Sequence, residues 1–342
     1  MKRIRYFDLL RCISFCFIIF YHMVIQLHLS EICSLERITP LFANSNMHIA
    51  TLGVAVFFML SGASLVYTTK NNFDLKKYYK KRCLRILIPF YLAYLVCFLA
   101  KLAMNHSIQA IFPDKVPAWR FLFTILGMDG WISMHGIATF SLGPGEWFLG
   151  CLIVLYLVFP FLRFLMEKNA KLFFAGATCI YVLVICFYPF SVDAHMNLLL
   201  KGYEFIIGMM FGYCSTQFSP KLKYVAIPVT LFFFLSPVAV NVHYAFKITI
   251  LAVAFWISLS YLEPFLQKRK LRMIRVVSDY SYEVFLVHHV IIYFLTPKAA
   301  PYLHNTGMIL LLFAVEILCM AVAAFILKYL SEKCMQLLSA IL

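Results

Sequence analysis

Ten times along this chain, about 20 predominantly apolar residues follow one another, which is the length an α-helix needs to cross the hydrocarbon core of a bilayer. The segments run approximately 7–29, 48–69, 84–104, 146–166, 171–190, 198–216, 222–240, 243–262, 278–297 and 306–330. Lipid offers no partners to backbone N–H and C=O groups, so such runs must fold as helices that satisfy their own hydrogen bonds. Hydrophobic residues make up 63% of the chain and charged ones 13%, a composition that excludes a water-soluble domain. The expectation is an all-α polytopic membrane protein with about ten transmembrane helices. It forms a single membrane domain over residues 1–342, with no separate soluble domain. The first segment is too long, and too quickly followed by others, for a cleaved signal peptide. The piece 118–133, broken by Gly127, Asp129 and Gly130, reads as interfacial or re-entrant within the long connection 105–145.

The formal net charge of +15 would suggest nucleic acid in a soluble protein. Here the basic residues fall between apolar spans, where they set topology, and the partner they imply is the lipid bilayer. With the N-terminus inside, only Arg37, Lys101, Lys115, Arg120, Lys201, Lys247 and Lys298, seven of the 30 Lys and Arg, lie on the outer side. That asymmetry puts both termini in the cytoplasm. The 11 cysteines sit almost entirely inside apolar runs, without CxxC or zinc-ligand spacing, so neither a metal nor a structural disulfide is expected.

The first segment nevertheless carries Asp8, Arg11 and His22. Charge at membrane depth is costly and faces a protein interior or a watery cavity. Arg11 and His22 are eleven residues apart, close to three whole turns, so they project from nearly the same face. A rise of about 1.5 Å per residue sets the imidazole roughly 16 Å deeper than the guanidinium. Between the second and third segments the chain reads KKYYKKRCLRILIPFY. Arg82 and Arg85 are one turn apart and their planar forks suit phosphate, with Lys81 and its neighbours adding positive field. A loop touching anionic lipid headgroups explains the lysines equally well.

In the second segment, Gly53, Ser61 and Gly62 are small residues that let helices approach closely. His48 precedes it on the outer side, as a contributor to a polar pocket or as a structural histidine. Glu146 either caps the fourth helix or lines an outward cavity, beside Trp147 as an interfacial anchor. His288 and His289 are neighbours near mid-span and so cannot share a face. Glu204 and Glu316 are buried-carboxylate candidates, for function or for pairing.

At these residues the sequence resembles the acyltransferase-3 family of integral membrane acyltransferases over nearly its whole length. The resemblance rests on Arg11 and His22 within RxxDxLR (Arg5, Asp8, Leu10, Arg11), and on the RxxR pair Arg82 and Arg85 followed by Ile86, Pro89 and Tyr91. It rests also on the run Gly53, Val54, Phe57, Phe58, Leu60, Ser61, Gly62, and on Tyr282, Leu286 and His288, with Phe285 replacing a tyrosine. One departure is Leu152 where many members carry a glutamate after Trp147 and Leu149.

The resemblance implies transfer of an acyl group, usually acetyl, from cytosolic acetyl-CoA to a hydroxyl of a cell-envelope or exported carbohydrate, at the cell (inner or plasma) membrane. Arg82, Arg85 and Lys81 would then hold the CoA phosphates. Arg11 adds to that anion site or, paired with Asp8, orients the helix. His22 acts as general base, or through a covalent acetyl-histidine. His288, Glu146, His48 and Glu316 are candidate acceptor contacts. A homo-oligomer is compatible with all of this. The alternative is a multi-span transporter or flippase of a glycan or lipid-linked intermediate that relays protons through buried His and carboxylates, although no inverted repeat is found.

Overall fold

The computed structural model describes residues 3–71, 73–112, 116–214, 218–269 and 271–341. Among the described residues every regular element is a helix, beside one isolated bridge between Ala43 and His48. The longer helices are α1 (Arg5–Leu29), α2 (Ile49–Thr69), α3 (Leu75–Asn105), α4 (Glu146–Lys168) and α5 (Ala170–Phe187), followed by α6 (Leu198–Cys214), α7 (Lys223–Leu235), α8 (Tyr244–Ser260), α9 (Arg272–Ala299) and α10 (Thr306–Ile341).

Seven of these, α1 to α5 with α9 and α10, are long and apolar enough to cross a membrane. The other three expected segments form helices of 17, 13 and 17 residues. The shortest of them has a physical reason: Ser236 with Pro237 ends α7, which already contains Pro228; Asn197 caps the start of α6 by accepting the N–H groups of Leu199 and Leu200. Large apolar side chains stand exposed along α5 and α10, among them Leu172, Leu183, Phe187, Leu310 and Leu318. In a chain of this composition those faces meet lipid, so the protein is a multi-pass membrane protein. All ten cysteines whose side chains are described are free thiols.

The chain divides into two compact units. The first comprises Met1–His28, Cys33–Phe73 and Phe159–Ser281. Its centre is α2, with 72% of its most apolar stretch buried against 6% for α5. Glycine allows this. A Cβ on Gly62 would lie 2.1 Å from the carbonyl oxygen of Phe205, one on Gly208 1.9 Å from that of Met59, and one on Gly212 2.6 Å from that of Ala63. The backbones of α2 and α6 are therefore in direct contact along a three-glycine seam, a close approach that dispersion rather than hydrophobic burial rewards in lipid. Gly53 admits α1 in the same way, 2.7 Å from the oxygen of Ser14. The small residues of the second segment thus have the packing role their sizes suggest. Trp256 of α8 fills the unit's interior against Phe7 and Phe211.

The second unit comprises Leu29–Ile32, Asp74–Val158 and Tyr282–Leu342. Asp74 caps α3 by accepting the N–H of Lys77. Ile86, Phe90, Ala93, Leu149, Leu286 and Leu327 form its apolar core, drawn from α3, α4, α9 and α10. The described parts of the connection 106–145 include short helices, of which Phe121–Ile125 and Asp129–Ser133 lie in the apolar piece 118–133. The second of these packs on the first turns of α4, with Gly130 against the backbone of Glu146 and Trp131 against Gly150.

Candidate active site

In the first unit, α1 is one unbroken helix through Asp8, Arg11 and His22, so the spacing read from sequence applies. Asp8 is buried and is the hub of its first turn. Arg3 donates to it through Nε at 2.6 Å and through Nη2 at 2.9 Å, and reaches Asp279 at 2.8 Å. The hydroxyl of Ser278, on α9, donates to Asp8 at 2.9 Å and accepts from Arg11 at 2.9 Å. Arg11 itself stands 3.7 Å from Asp8. A carboxylate receiving two guanidinium N–H bonds and a hydroxyl is fully compensated for its burial. Asp8 is thus tied into structure, and Arg11 is bonded to its network. The neighbouring turn is fixed as firmly: Glu263 accepts the backbone N–H groups of Arg5 and Tyr6, while the Arg5 guanidinium donates to the carbonyls of Leu266 and Arg269.

His22 is half-buried three turns on, edge-on to Tyr21 at 5.0 Å between ring centres. Tyr21 packs in turn on His48, at 4.6 Å, and both rings touch Phe42. His48 is therefore part of an aromatic cluster that includes the neighbour of His22, and its Nδ1 is buried without a hydrogen-bond partner among the described residues. Glu204 is paired instead: Lys201, one turn earlier on α6, donates to both its oxygens at 2.7 and 2.8 Å, with both side chains 2% exposed. That is a closed ion pair, and the pairing alternative holds for Glu204.

In the second unit, Arg82 lies between the rings of Tyr78 and Tyr156, at 5.9 and 5.6 Å from their centres, and Tyr78 donates to the carbonyl of Tyr156. Cation–π contact holds the guanidinium without consuming its N–H groups. Its Nε is buried and has no partner among the described residues. Arg85 and Lys81 are exposed. Guanidinium and ammonium N–H groups are donors of the kind that phosphate accepts. Tyr282 donates to the carbonyl of Ile86, fixing the same stretch of α3 from α9.

Glu146, His288 and His289 come together at the start of α4. Nδ1 of His289 lies 2.5 Å from Oε1 of Glu146, and Nε2 of His288 lies 3.9 Å from the same oxygen. His288 is buried and donates through Nδ1 to the carbonyl of Phe285 at 2.7 Å. Adjacent histidines on a helix point about 100° apart, yet a carboxylate on a facing element reaches both. Glu316 is wholly buried, accepts from Thr296 at 2.6 Å, and leaves Oε2 without a partner among the described residues.

Reasoning from sequence named Glu146 and His288 but not their meeting with His289. It also missed Arg3, Ser278 and Asp279, whose only sequence signal is an Asp–Arg pair on α1 in need of a polar partner. Asp129 went unremarked as an acid. Its carboxyl is buried, and burial pushes its pKa up to about 6 against the lowering effect of Thr124, Thr139 and the Phe140 backbone.

A search of curated proteins gives no match, and a search of solved structures gives none either. The acyltransferase-3 family model, described as an acyltransferase domain, matches residues 4–331, which include every site residue above except Arg3. A match over that share of the chain leaves one conclusion: this protein belongs to the acyltransferase-3 family.

Proposed function

We propose that this membrane acyltransferase moves an acetyl group from cytosolic acetyl-CoA to a hydroxyl of a cell-envelope or exported carbohydrate. Ten helices cross the cell membrane in this reading, α6, α7 and α8 among them, with both termini on the cytosolic side. Arg82 and Arg85, with Lys81, hold the phosphates of CoA. Arg11, bonded to Ser278 beside Asp8, keeps α1 in register. His22 takes the proton of the acceptor hydroxyl as the new C–O bond forms and the C–S bond of the thioester breaks, and the departing thiolate is protonated.

The observation that carries this reading is α1 itself: one helix, anchored at its first turns by Asp8 and Arg11, that presents an imidazole three turns further on. Histidine is suited to that task because its charge changes near neutral pH. Arg82 supports the donor site, since its Nε is buried among aromatic rings with no partner among the described residues.

The test uses membranes carrying the protein, labelled acetyl-CoA, and recovery of base-labile acetate from the glycan fraction. A positioned acid–base group contributes about 10²–10⁴-fold, so His22→Ala should lower incorporation by at least about a hundredfold while the protein still inserts. Incorporation by His22→Ala near the wild-type rate would end the general-base assignment.

A further inference from the structure

The end of the first unit away from Asp8 collects side chains that play no part in the reading above. A Cβ on Gly208 would meet Met59, and one on Gly212 would meet Ala63. Equal steps of four in the same direction mean that α2 and α6 run parallel, so their starts share one end. Tyr21, His48, His195 and Tyr244 stand there, each half-buried. His48 packs on Tyr21 just ahead of α2, and His195 lies just ahead of α6. Tyr244, the first residue of α8, lies beside Thr51 in the first turn of α2. All belong to the first unit.

His48 carries the strongest signal. It precedes α2 but makes no side-chain cap, and its Nδ1 is buried without a hydrogen-bond partner among the described residues. Buried polar atoms in native proteins are paired with protein, water or ligand, so an unpaired one calls for a partner. The turn that carries it is firmly fastened. Asn44 donates to the carbonyls of Phe233 and Phe234 at 3.0 and 3.1 Å, and Asn46 to that of Val238 at 2.7 Å. Lys247 donates to the carbonyl of Ser45 at 3.0 Å, and Ile49 closes the turn by donating its N–H to that of Phe42 at 2.9 Å. So fixed, the imidazole keeps its place against Tyr21 and Phe42, and its partner must come to it. Nδ1 of His195 donates to Asp193 at 2.7 Å, which makes Nε2 the acceptor of that ring. The two imidazoles are near enough to feel each other's charge. Lys201 is paired with Glu204 and Asp193 with His195. What this end offers a ligand is therefore aromatic faces with a few placed hydrogen-bonding nitrogens.

We propose, resting on the acyl-transfer reading above, that this end of the first unit is the subsite for the carbohydrate acceptor. His48 hydrogen-bonds one sugar hydroxyl through Nδ1, His195 a second through Nε2, and the rings of Tyr21 and Tyr244 take the apolar face of the sugar. His22 and His48 pack on the same ring, at 5.0 and 4.6 Å from Tyr21. One ring thus separates the hydroxyl that His48 holds from the one that His22 deprotonates, and the two belong to one sugar or to neighbours in a chain. His48 sets which acceptor is used and carries no proton in the reaction. With both termini cytosolic, this end faces away from the cytosol, where an envelope or exported glycan is met.

The experiment titrates envelope glycan from the expressing cells, stripped of its esters with mild base, against labelled acetyl-CoA in membranes carrying wild type, His48→Phe, His48→Asn or His195→Ala. His48→Phe keeps a ring against Tyr21 and Phe42 and removes Nδ1, so a purely structural role predicts no change. The subsite predicts a KM for glycan raised about tenfold, the loss of one buried hydrogen bond, with the KM for acetyl-CoA held within about twofold. His48→Asn, whose amide reaches the place of Nδ1, should recover most of that rise. A KM for glycan unchanged in His48→Phe, or raised equally in His48→Asn, overturns the proposal. So does a lowered kcat with both KM values unchanged. Where His48→Phe fails to accumulate, His195→Ala decides on the same two constants: a rise confined to glycan supports the subsite, and none refutes it. A wild type that transfers no acetate to the glycan refutes the acyl-transfer reading, and the subsite falls with it. Wild-type transfer that is indifferent to His48 and His195 refutes the subsite alone.

Discussion

The α2–α6 seam offers the sharpest test of the fold. In Gly208→Ala the new Cβ would lie 1.9 Å from the carbonyl oxygen of Met59, 2.5 Å from its carbon and 2.6 Å from its Cα. All three are backbone atoms of a helix, so no side chain can swing aside. Carbon atoms in contact sit roughly 3.5–4 Å apart, and a gap of about 0.5–1 Å already forfeits a quarter to a half of a dispersion contact. The helices must separate by about that gap or more, at a cost near the upper end of overpacking, about 3 kcal/mol. Alanine returns about 1 kcal/mol as the better helix former. The net loss is about 2 kcal/mol, roughly a thirtyfold fall in the folded-to-unfolded ratio. Gly176→Ala on α5 is the matched control: a Cβ there meets nothing within 4 Å, so only the helix term acts and the variant should equal or exceed wild type. Thermal unfolding in detergent, followed by size-exclusion chromatography, separates the two. A Gly208→Ala protein as stable as Gly176→Ala would refute the backbone contact between α2 and α6.

Two further outcomes concern buried charge. Glu204→Gln leaves the Lys201 ammonium buried opposite a neutral amide and should cost about 3–5 kcal/mol, whereas Lys201→Met with Glu204→Leu removes both charges and should cost much less. Denaturant titration of solubilised protein would refute this if the double variant proved the weaker. Asp129 binds a proton more tightly folded than unfolded, so between about pH 4 and its folded value of about 6 the native state holds the extra proton. Stability therefore falls as pH rises through that window, by up to about 3 kcal/mol for a two-unit difference, and stays low above it. Asp129→Asn should flatten that stretch of the stability–pH curve and raise stability at pH 7. An unchanged slope would exclude Asp129 as its source.

Much of the site is legible in the sequence where it lies along one helix. The eleven-residue spacing of Arg11 and His22 needs only helical geometry, and α1 is an uninterrupted helix over both. Small residues at 53 and 62 announce close packing before the partner is known, and the partner backbones prove to be those of α1 and α6. What spacing cannot supply is a meeting between segments far apart in the chain. Glu146 and His289 are 143 residues apart, and nothing local to either predicts that a turn of positive φ aims one at the other. Adjacent histidines suggest opposite faces. Both nevertheless reach one carboxylate, because that carboxylate comes from outside their helix. The shortness of α7 has a local cause that hydropathy ignores: serine and proline end it, although the apolar run continues past them.

The first turns of α1 are held by residues synthesised very late. Glu263 closes the N–H groups of Arg5 and Tyr6, Leu266 and Arg269 receive Arg5, and Ser278 and Asp279 receive Arg11 and Arg3. The helix that enters the bilayer first thus waits for its moorings until more than three-quarters of the chain has left the ribosome. Until then Asp8 has Arg3 and Arg11 beside it but neither the Ser278 hydroxyl nor the rest of that network. A chain ended before residue 263 would keep the packing of this histidine-bearing helix on α2 but none of these polar moorings, so loss of its last two helices and the stretch before them should silence the enzyme from a distance, without touching the imidazole.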